Sequence, residues 1–242
     1  MEESEKKCQE ELVALKKEFE DFVYIVSHDI KSPMRAISNI TTWIEEDLGS
    51  AINPDVLNNL GLLKNRVNRL EKMMNALLEL SRVDRTELEF YEVNIPKMIA
   101  SCIALVDAKS NVEFHFTNNL KNENCVTLGV KMQKVIMSLI DNAIRFHDKE
   151  CIKVAIDVTE GLNDYEIKVS DNGPGIPEQA INKIFSIFYT VNSKDIFDTT
   201  GAGLAISCKI MKLVGGRIEY SPGINNGSIF TFNWPKIITL KN

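Results

Sequence analysis

The first third of this chain carries the feature that most restricts its fold. Between Glu5 and Leu48 there is no glycine and a single proline, and apolar residues recur at alternating spacings of three and four. This first stripe consists of Leu12, Leu15, Phe19, Phe22 and Val26. A second stripe follows the breaker residues 49–54 and consists of Leu60, Leu63, Val67, Leu70, Met74 and Leu77. Heptad spacing of this kind predicts two long helices joined by a short turn, an antiparallel hairpin.

A lone helical hairpin buries too little apolar surface to make its own core. We therefore expect the hairpin to pair with a second copy of the chain, so that a homodimer contains a four-helix bundle.

After Arg85 the pattern of apolar residues changes from heptad spacing to a mixture of short and long runs. Short alternating runs predict strands, and longer periodic runs predict helices. The strands are expected at 112–116 and 165–169, and the helices at 96–106 and 131–146. With a polar hinge at 82–86, residues 1–88 form the hairpin domain and residues 89–242 an α/β layer domain. The predicted fold class is α+β.

Composition narrows the class of protein. With 44% hydrophobic and 26% charged residues, the chain should be globular. It has no apolar run of the ~20 residues that a membrane helix needs, and its charged beginning lacks a signal sequence, so we expect a soluble, cytoplasmic protein without a membrane segment. The 28 basic residues against 34 acidic ones argue against nucleic acid as a partner. The five scattered cysteines are interpreted as reduced packing residues.

Two glycine-rich turns lie next to predicted secondary structure, one after a strand and one before a helix. Asp171-Asn172-Gly173-Pro174-Gly175 comes directly after a strand, where the glycines allow a ligand to approach and the carboxylate can accept from an amino group. The turn at 199–204 opens a predicted helix, and a helix N-terminus behind glycines can bind phosphate. Either turn alone could be an ordinary loop.

The helix at 131–146 carries polar residues on one face. Ser138, Asn142 and Arg145 are spaced by four and three. Neutral oxygen ligands and one cation suit a magnesium triphosphate.

In this order, the motifs resemble the catalytic ATP-binding domain of bacterial sensor histidine kinases. That domain has the Bergerat fold, an α/β sandwich shared with gyrase, MutL and the heat-shock chaperone of the superfamily. In this chain, SLIDNAIRF resembles the N box of the family and DNGPGIP resembles the first glycine box. IFSIFY resembles the F box, and TTGAGLAI resembles the second glycine box. The resemblance continues through GGRIEYSPG and GSIFTFNWP and covers nearly all of residues 90–235.

The resemblance implies ATP and Mg²⁺ as ligands. It assigns Mg²⁺ to Asn142 and Ser138, phosphate to Arg145, and the adenine side to Phe146. In the first glycine box, Asp171 would accept from the adenine amino group beside Gly173 and Gly175. The second glycine box would contribute Thr200, Gly201, Gly203 and Leu204 to the lid and phosphate cradle.

The chain departs from the family pattern at three positions. Ser138 stands where the family often has Asn, and Thr199 stands where the second glycine box usually begins with Gly. Arg145 replaces the commoner Lys and keeps the positive charge.

One of the three histidines lies in an unusual place. His28 is on the first predicted helix, five residues before Pro33, and proline inside a helix costs ~3 kcal/mol or more. Segment SHDIKSPMRAI resembles the H box of the dimerisation and phosphotransfer domain of the same kinases. That likeness implies that His28 is the phosphoacceptor, Asp29 its acid/base partner and Ser32 the residue that orients water during dephosphorylation of a partner. His115 is interpreted as a packing or surface residue.

Together these features predict the core of a sensor histidine kinase. It would phosphorylate His28 from ATP and pass the phosphoryl group to an aspartate of a response regulator, with its sensor domain upstream of this chain. The regulator is expected to dock just below His28, on the face of the first helix that carries Met34, Ile37, Ile40 and Thr41, with Arg35 on the neighbouring face. Some of these four residues must pack inside the bundle. Two alternatives remain, a Bergerat ATPase coupled to conformational change and a pseudokinase acting as a dimeric scaffold.

Overall fold

The computed structural model describes residues 2–49, 52–106, 112–191, 199–223 and 226–240. The chain divides into two compact units, one ending at Arg82 and the other beginning at Val83. The first consists of two helices, α1 (Glu2–Leu48) and α2 (Pro54–Arg82), which pack against each other. The predicted pair of long helices is confirmed.

The turn between the helices follows local chain chemistry. Gly49 adopts a positive φ of 46° after the last turn of α1, a conformation that glycine takes without steric cost. Asn53 accepts the Asp55 N–H at 2.8 Å through its side chain, and Pro54 occupies the first position of α2. Both are favourable helix starts, because they satisfy or remove unpaired N–H groups.

The face of α1 that α2 covers is not the predicted stripe. Val23, Ser27, Met34 and Thr41 are buried on α1. Met34 and Thr41 are therefore the members of the expected regulator surface that pack inside the hairpin. Ile37 and Ile40, in contrast, are 42% and 49% exposed.

The predicted stripe itself remains uncovered within one chain. Leu12, Leu15, Phe19 and Phe22 are 47% to 63% exposed. The helix α1 thus presents two apolar faces, one toward α2 and one outward, as a helix of a bundle with more than two members requires.

The second unit contains all the strands that the structure describes. The strands are β1 (Tyr91–Asn94), β2 (Val112–Asn119), β3 (Asn124–Thr127), β4 (Ile152–Glu160), β5 (Asp164–Asp171), β6 (Arg217–Pro222) and β7 (Ser228–Pro235). The helices are α3 (Ile95–Val106), α4 (Gly129–Arg145), the short α5 (Glu178–Ile181) and α6 (Gly203–Val214). The predicted helices and strands of this half are confirmed.

The strands form a five-stranded sheet in the order β2-β4-β5-β7-β6. Only β2 and β4 are parallel within it, and the pair β1-β3 is separate and antiparallel. Helices α4 and α6 contact this sheet, and α3 packs on α4, which makes an α/β sandwich. The core between the layers includes Ile167, Phe232 and Trp234, all at 0% exposure. The predicted fold class is confirmed.

The cysteines behave less uniformly than expected. All five are free, and Cys102 is buried, but Cys8 and Cys151 are exposed. The interpretation of all five as packing residues is wrong for these two, which lie near the beginning of α1 and just before β4. Among the described residues, no helix combines the length and the apolar character needed to span a membrane.

Candidate functional site

The exposed face of α1 carries the first group of candidate residues. His28 and Asp29 have side chains that are 76% and 73% exposed, and His28 Nδ1 lies 3.2 Å from Asp29 Oδ1. If Nδ1 carries the ring proton, it donates to the carboxylate, and Nε2 then presents its lone pair to solvent. This is the arrangement that a nucleophilic imidazole requires.

Ser32 lies one helical turn after His28 on the same surface. Both line a shallow groove with Lys31, Arg35 and Asn39, and Ser32 is exposed. Residues four apart on a helix are neighbours. The structure thus places Ser32 next to His28, as the sequence predicts.

The second group begins with α4 in the α/β unit. Ser138 and Asn142 are half-buried on this helix, whereas Arg145 is exposed in its last turn. Arg145 Nε donates to Asp141 Oδ2 at 2.6 Å. Its guanidinium is therefore held along the helix surface by a carboxylate, a contact that the sequence motifs did not indicate.

Asn142 carries a polar atom that the fold leaves unsatisfied. Its side-chain Nδ2 is buried and has no hydrogen-bond partner in the part of the chain that the structure describes. Buried polar groups are nearly always paired, so such an atom needs an explanation. The amide group has a donor end and an acceptor end, and rotation of the side chain by half a turn presents either of them to a ligand. The residue fits a site that is completed by a bound group.

Asp171 ends β5 and is held by backbone donors. Its Oδ1 accepts the N–H of Gly173 at 2.8 Å and that of Ser228 at 3.1 Å. Burial raises the pKa of this carboxyl, and the bonds from Gly173 and Ser228 partly offset the rise. A carboxylate has about four acceptor positions, so it retains capacity for a ligand amino group.

The first glycine box is packed backbone to backbone. A Cβ at Gly173 would lie 2.9 Å from Asp171 Oδ1 and 3.0 Å from the Phe146 carbonyl oxygen. The half-buried Phe146, which follows α4, is thereby brought next to the loop after β5. Gly175 has a φ of +73°, which favours glycine.

The second glycine box joins the F box and the N box. The Phe188 N–H donates to the Gly201 carbonyl at 2.9 Å, and a Cβ at Gly201 would collide with the Tyr189 carbonyl. A Cβ at Gly203 would lie 2.7 Å from Ser138 Oγ. The structure therefore brings Ser138 to the N-terminal end of α6.

The remaining residues of this box complete the turn into α6. Thr200 Oγ1 accepts the Ala202 N–H at 3.3 Å, and Leu204 is half-buried in the first helical turn. The hydroxyls of Thr190 and Thr199 are buried and have no hydrogen-bond partner among the described residues. Residues 192–198, which connect the two, lie outside the described part of the chain.

Three residues at this site were not among the candidates that the sequence indicates. Ser228 supplies a backbone N–H to Asp171, Asn172 bonds the Lys153 N–H and the Cys151 carbonyl at 2.8 and 3.0 Å, and Tyr220 bonds the Ile176 N–H. Ser228 and Tyr220 lie within the segments of the resemblance, but their contacts depend on strand register. No local pattern could have identified them.

Within the described ranges, no group of three or more His, Cys, Asp or Glu side chains is arranged to hold a metal ion. The half-buried Asn142 and Ser138 offer neutral oxygens, which is chemistry that suits Mg²⁺ bound to phosphates.

The hairpin and the α/β unit each match a protein-family model. Residues 20–86 match the His Kinase A (phospho-acceptor) domain. Residues 127–238 match the histidine kinase-, DNA gyrase B- and HSP90-like ATPase family. The first match contains His28, and the second contains every candidate residue of the α/β unit.

Curated relatives with known names are longer proteins. Cyanobacterial phytochrome B of Nostoc sp. (strain PCC 7120) is 30% identical over 227 residues, which is 92% of this chain and 30% of that protein. Signal transduction histidine-protein kinase AfsQ2 of Streptomyces coelicolor is 26% identical over 89% of this chain and 41% of its own length. The chain thus spans less than half the length of these relatives.

Solved structures agree with the family models. The catalytic domain of histidine kinase ThkA, in a nucleotide-free form, is 31% identical with a TM-score of 0.54 and covers 61% of this chain and 96% of that domain. A complex of ThkA with the response regulator protein TrrA aligns over 92% of this chain and 64% of its own, at a TM-score of 0.65 and 24% identity, and shows the fold.

These matches define a class of protein in which a phospho-acceptor helical hairpin precedes a Bergerat-type ATPase domain. The chain belongs to the sensor histidine kinase family.

Proposed function

We propose that this chain transfers the γ-phosphoryl group of ATP to His28 and then to an aspartate of a response regulator. The observation that carries the proposal is the exposed His28, whose Nδ1 lies 3.2 Å from Asp29. The match of residues 20–86 to the phospho-acceptor family supports the same assignment. Because ATP is a cytosolic substrate, we place the reaction in the cytoplasm.

The proposed reaction uses both ring nitrogens of His28. Nε2 attacks the γ-phosphorus, the N–P bond forms, and the P–O bond to ADP breaks. The imidazole becomes cationic in this step, and Asp29 stabilises it and can accept the Nδ1 proton. In the second step, Asp29 returns the proton to Nδ1, a regulator carboxylate attacks the phosphorus, and the N–P bond breaks. The products are neutral imidazole and an acyl phosphate on the regulator.

The nucleotide would occupy the loops around α4. Asp171 would accept from the adenine amino group, with Phe146, Gly173 and Gly175 beside the base. Phosphate would lie at the start of α6, where Thr200, Gly201, Gly203 and Leu204 form the turn. Arg145 would have to exchange its bond with Asp141 to reach phosphate.

Asn142 and Ser138 are the residues that would hold Mg²⁺, and the unpaired Asn142 amide fits this role. When bound, Mg²⁺ supplies screening of the charge that develops on the phosphates.

The exposed surfaces of the hairpin support two binding partners, a second copy of the chain and a response regulator. The outward apolar stripe of α1 supports a homodimer, in which the second copy would cover Leu12, Phe19 and Phe22.

The regulator would dock next to His28, since its aspartate must come within bonding distance. Ile37, Ile40 and Arg35 remain for this contact. Ser32 would orient a water that attacks the acyl phosphate of the regulator and releases inorganic phosphate, which would give phosphatase activity toward the regulator.

Two other activities would use parts of the same structure. A Bergerat ATPase usually has a Glu on the N-box helix to activate water, and Ser138 is the nearest counterpart here. A pseudokinase scaffold would keep the dimer without chemistry. Incubation with γ-labelled ATP separates the three. We expect acid-labile, base-stable label on the protein, whereas free phosphate alone would support the ATPase, and no turnover would support the scaffold.

A further inference from the structure

The first glycine box depends on a neighbouring strand for its position. Residues 172–177 form an irregular loop between β5 and α5. A loop of this kind loses conformational entropy when it is ordered, so contacts that order it in advance favour ligand binding.

One part of the support comes from the β6–β7 turn. A Cβ at Gly175 would collide with the Asn226 carbonyl, and a Cβ at Gly227 would collide with the Asp171 carbonyl. The turn is closed by the Gly223 N–H, which donates to the Gly227 carbonyl at 2.7 Å. The backbone of the turn thus lies directly against both ends of the glycine box.

The second part is a side chain on β6. The Tyr220 hydroxyl oxygen accepts the Ile176 N–H at 3.2 Å. The Tyr220 ring contacts Phe230, its partner in the β6–β7 register, with centroids 5.5 Å apart and an interplanar angle of 57°. Phe230 is itself buried, at 5% exposure.

This arrangement fixes the hydroxyl in space. The phenol oxygen is at the end of a rigid ring, and the ring is held by a buried aromatic neighbour on a paired strand. The Tyr220 oxygen can therefore hold the Ile176 amide at a set distance from the sheet. Ile176 follows Gly175, and the loop between Asp171 and Ile176 is bound at both ends.

We infer that Tyr220 is a positioning residue for nucleotide binding, which holds the loop after Asp171 in its binding conformation without touching the nucleotide. The inference rests on the proposed function, in which this loop receives the adenine end of ATP. Tyr220 is separated from Asp171 by 49 positions in the chain and acts on it through the Ile176 amide.

Replacing the hydroxyl alone tests the inference. Tyr220→Phe keeps the ring on Phe230 and removes the acceptor of the Ile176 N–H. One hydrogen bond of ordinary strength corresponds to about a fivefold change in an equilibrium constant. We expect ATP to bind about fivefold more weakly, with a raised KM for ATP and an unchanged kcat at saturating ATP.

Tyr165→Phe is the matched control. Tyr165 lies on β5 of the same sheet, near the opposite end of the strand from Asp171, and is 5% exposed. Tyr165→Phe also removes one tyrosine hydroxyl from the α/β unit, so it reports the general effect of such a loss on the sheet. We expect it to bind ATP like the wild-type chain.

Three measurements on the full chain decide the outcome. Calorimetry gives the affinity for Mg-ATP, and initial rates of His28 labelling over a range of ATP concentrations give KM and the saturating rate, kcat. Amide hydrogen exchange without nucleotide reports the Ile176 N–H. We expect faster exchange of that amide in Tyr220→Phe only. Equal affinity of Tyr220→Phe and wild type, a loss shared by Tyr165→Phe, or a fall in kcat alone would overturn the inference. Failure of the wild-type chain to bind ATP would instead overturn the proposed function.

Discussion

The two candidate sites differ in how their reactive groups are held. His28 and Asp29 stand on an exposed helix face and contact each other at 3.2 Å. Asp171 is half-buried, and backbone N–H groups from two separate segments bond its carboxylate. A group that meets macromolecular partners has to be accessible, whereas a group that recognises a small ligand binds it more tightly when the group is already ordered. Substitutions in the hairpin should therefore affect chemistry, and those in the α/β unit should affect binding.

The largest effect is expected at His28. His28→Ala should abolish acid-labile labelling from γ-labelled ATP, because His28 is the one histidine of the hairpin sequence, and should leave the affinity for ATP unchanged. Asp29→Asn should retain labelling at a rate lower by about a hundredfold, the usual scale of acid/base catalysis. Phosphate transfer assays and calorimetry on the same samples check both statements.

His115→Ala and His147→Ala serve as controls for the acceptor. His115 is exposed on β2, and His147 bonds the Lys149 carbonyl at 2.9 Å. Both variants should label normally. Retained label on His28→Ala would move the acceptor to one of them and remove the distinction between the two sites.

A smaller effect, in binding alone, is expected at Asp171. Asp171→Asn should weaken ATP binding by about tenfold, because the amide can direct a donor at the adenine amino group. Calorimetry measures this loss, and a change below about threefold would exclude Asp171 as the adenine contact.

Asp171→Asn should raise the free energy of unfolding, although it weakens ATP binding. Burial raises the pKa of Asp171, so its ionised form opposes folding, and the neutral amide avoids that cost. The sign follows from linkage, since wild type binds its proton more tightly when folded and gains stability as the pH falls through the raised pKa. We expect Asp171→Asn to be more stable than wild type at neutral pH without nucleotide, with a difference that shrinks in acid.

A further test concerns the surface that remains beside His28 once Met34 and Thr41 are assigned to the hairpin interior. Arg35→Glu should slow transfer from phosphorylated His28 to the cognate regulator by several-fold, about the effect of one reversed interface charge, and leave autophosphorylation intact. A time course of label appearing on the regulator, with samples quenched at set times, measures the transfer rate. Unchanged transfer in both Arg35→Glu and Ile40→Ala would place the docking surface elsewhere.

The smallest effect is expected at a carboxylate that belongs to neither site. Glu160 accepts Lys236 Nζ at 2.7 Å and the N–H groups of Lys121 and Asn122 at 2.8 and 3.1 Å. The bonds from Lys236, Asn122 and Lys121 lower the pKa of this carboxyl to about 2. Glu160→Gln should lower the Tm by roughly 2–4 °C at neutral pH, with labelling and ATP affinity unchanged.

The pH dependence of that effect follows from its sign. A lowered pKa means that Glu160 stabilises the fold above its ordinary pKa of 4.5, and that this contribution disappears as the pH falls to about 2. The Tm difference between wild type and Glu160→Gln should therefore vanish across this range. A constant difference in thermal melts would show that Glu160 acts through packing.

Much of the chain's organisation was predictable from local patterns. The helices expected at 96–106 and 131–146 occur at Ile95–Val106 and Gly129–Arg145, because apolar periodicity and flanking glycine or proline act over a few residues. The packing of the hairpin was less predictable. The heptad stripe identified one apolar face of α1, while α2 covers another face that includes the polar Ser27 and Thr41.

Local patterns in the sequence are sufficient to predict the two-part architecture, the order of the nucleotide motifs and the position of His28 on the first helix. Spacing along the chain carries these properties, since helix and strand periods repeat over short distances. The contacts of Ser228 with Asp171, of Ser138 with Gly203 and of Tyr220 with the first glycine box, in contrast, are visible only in the folded chain. Those contacts join segments that are 44 or more positions apart and depend on the register in which the strands pair and the helices pack.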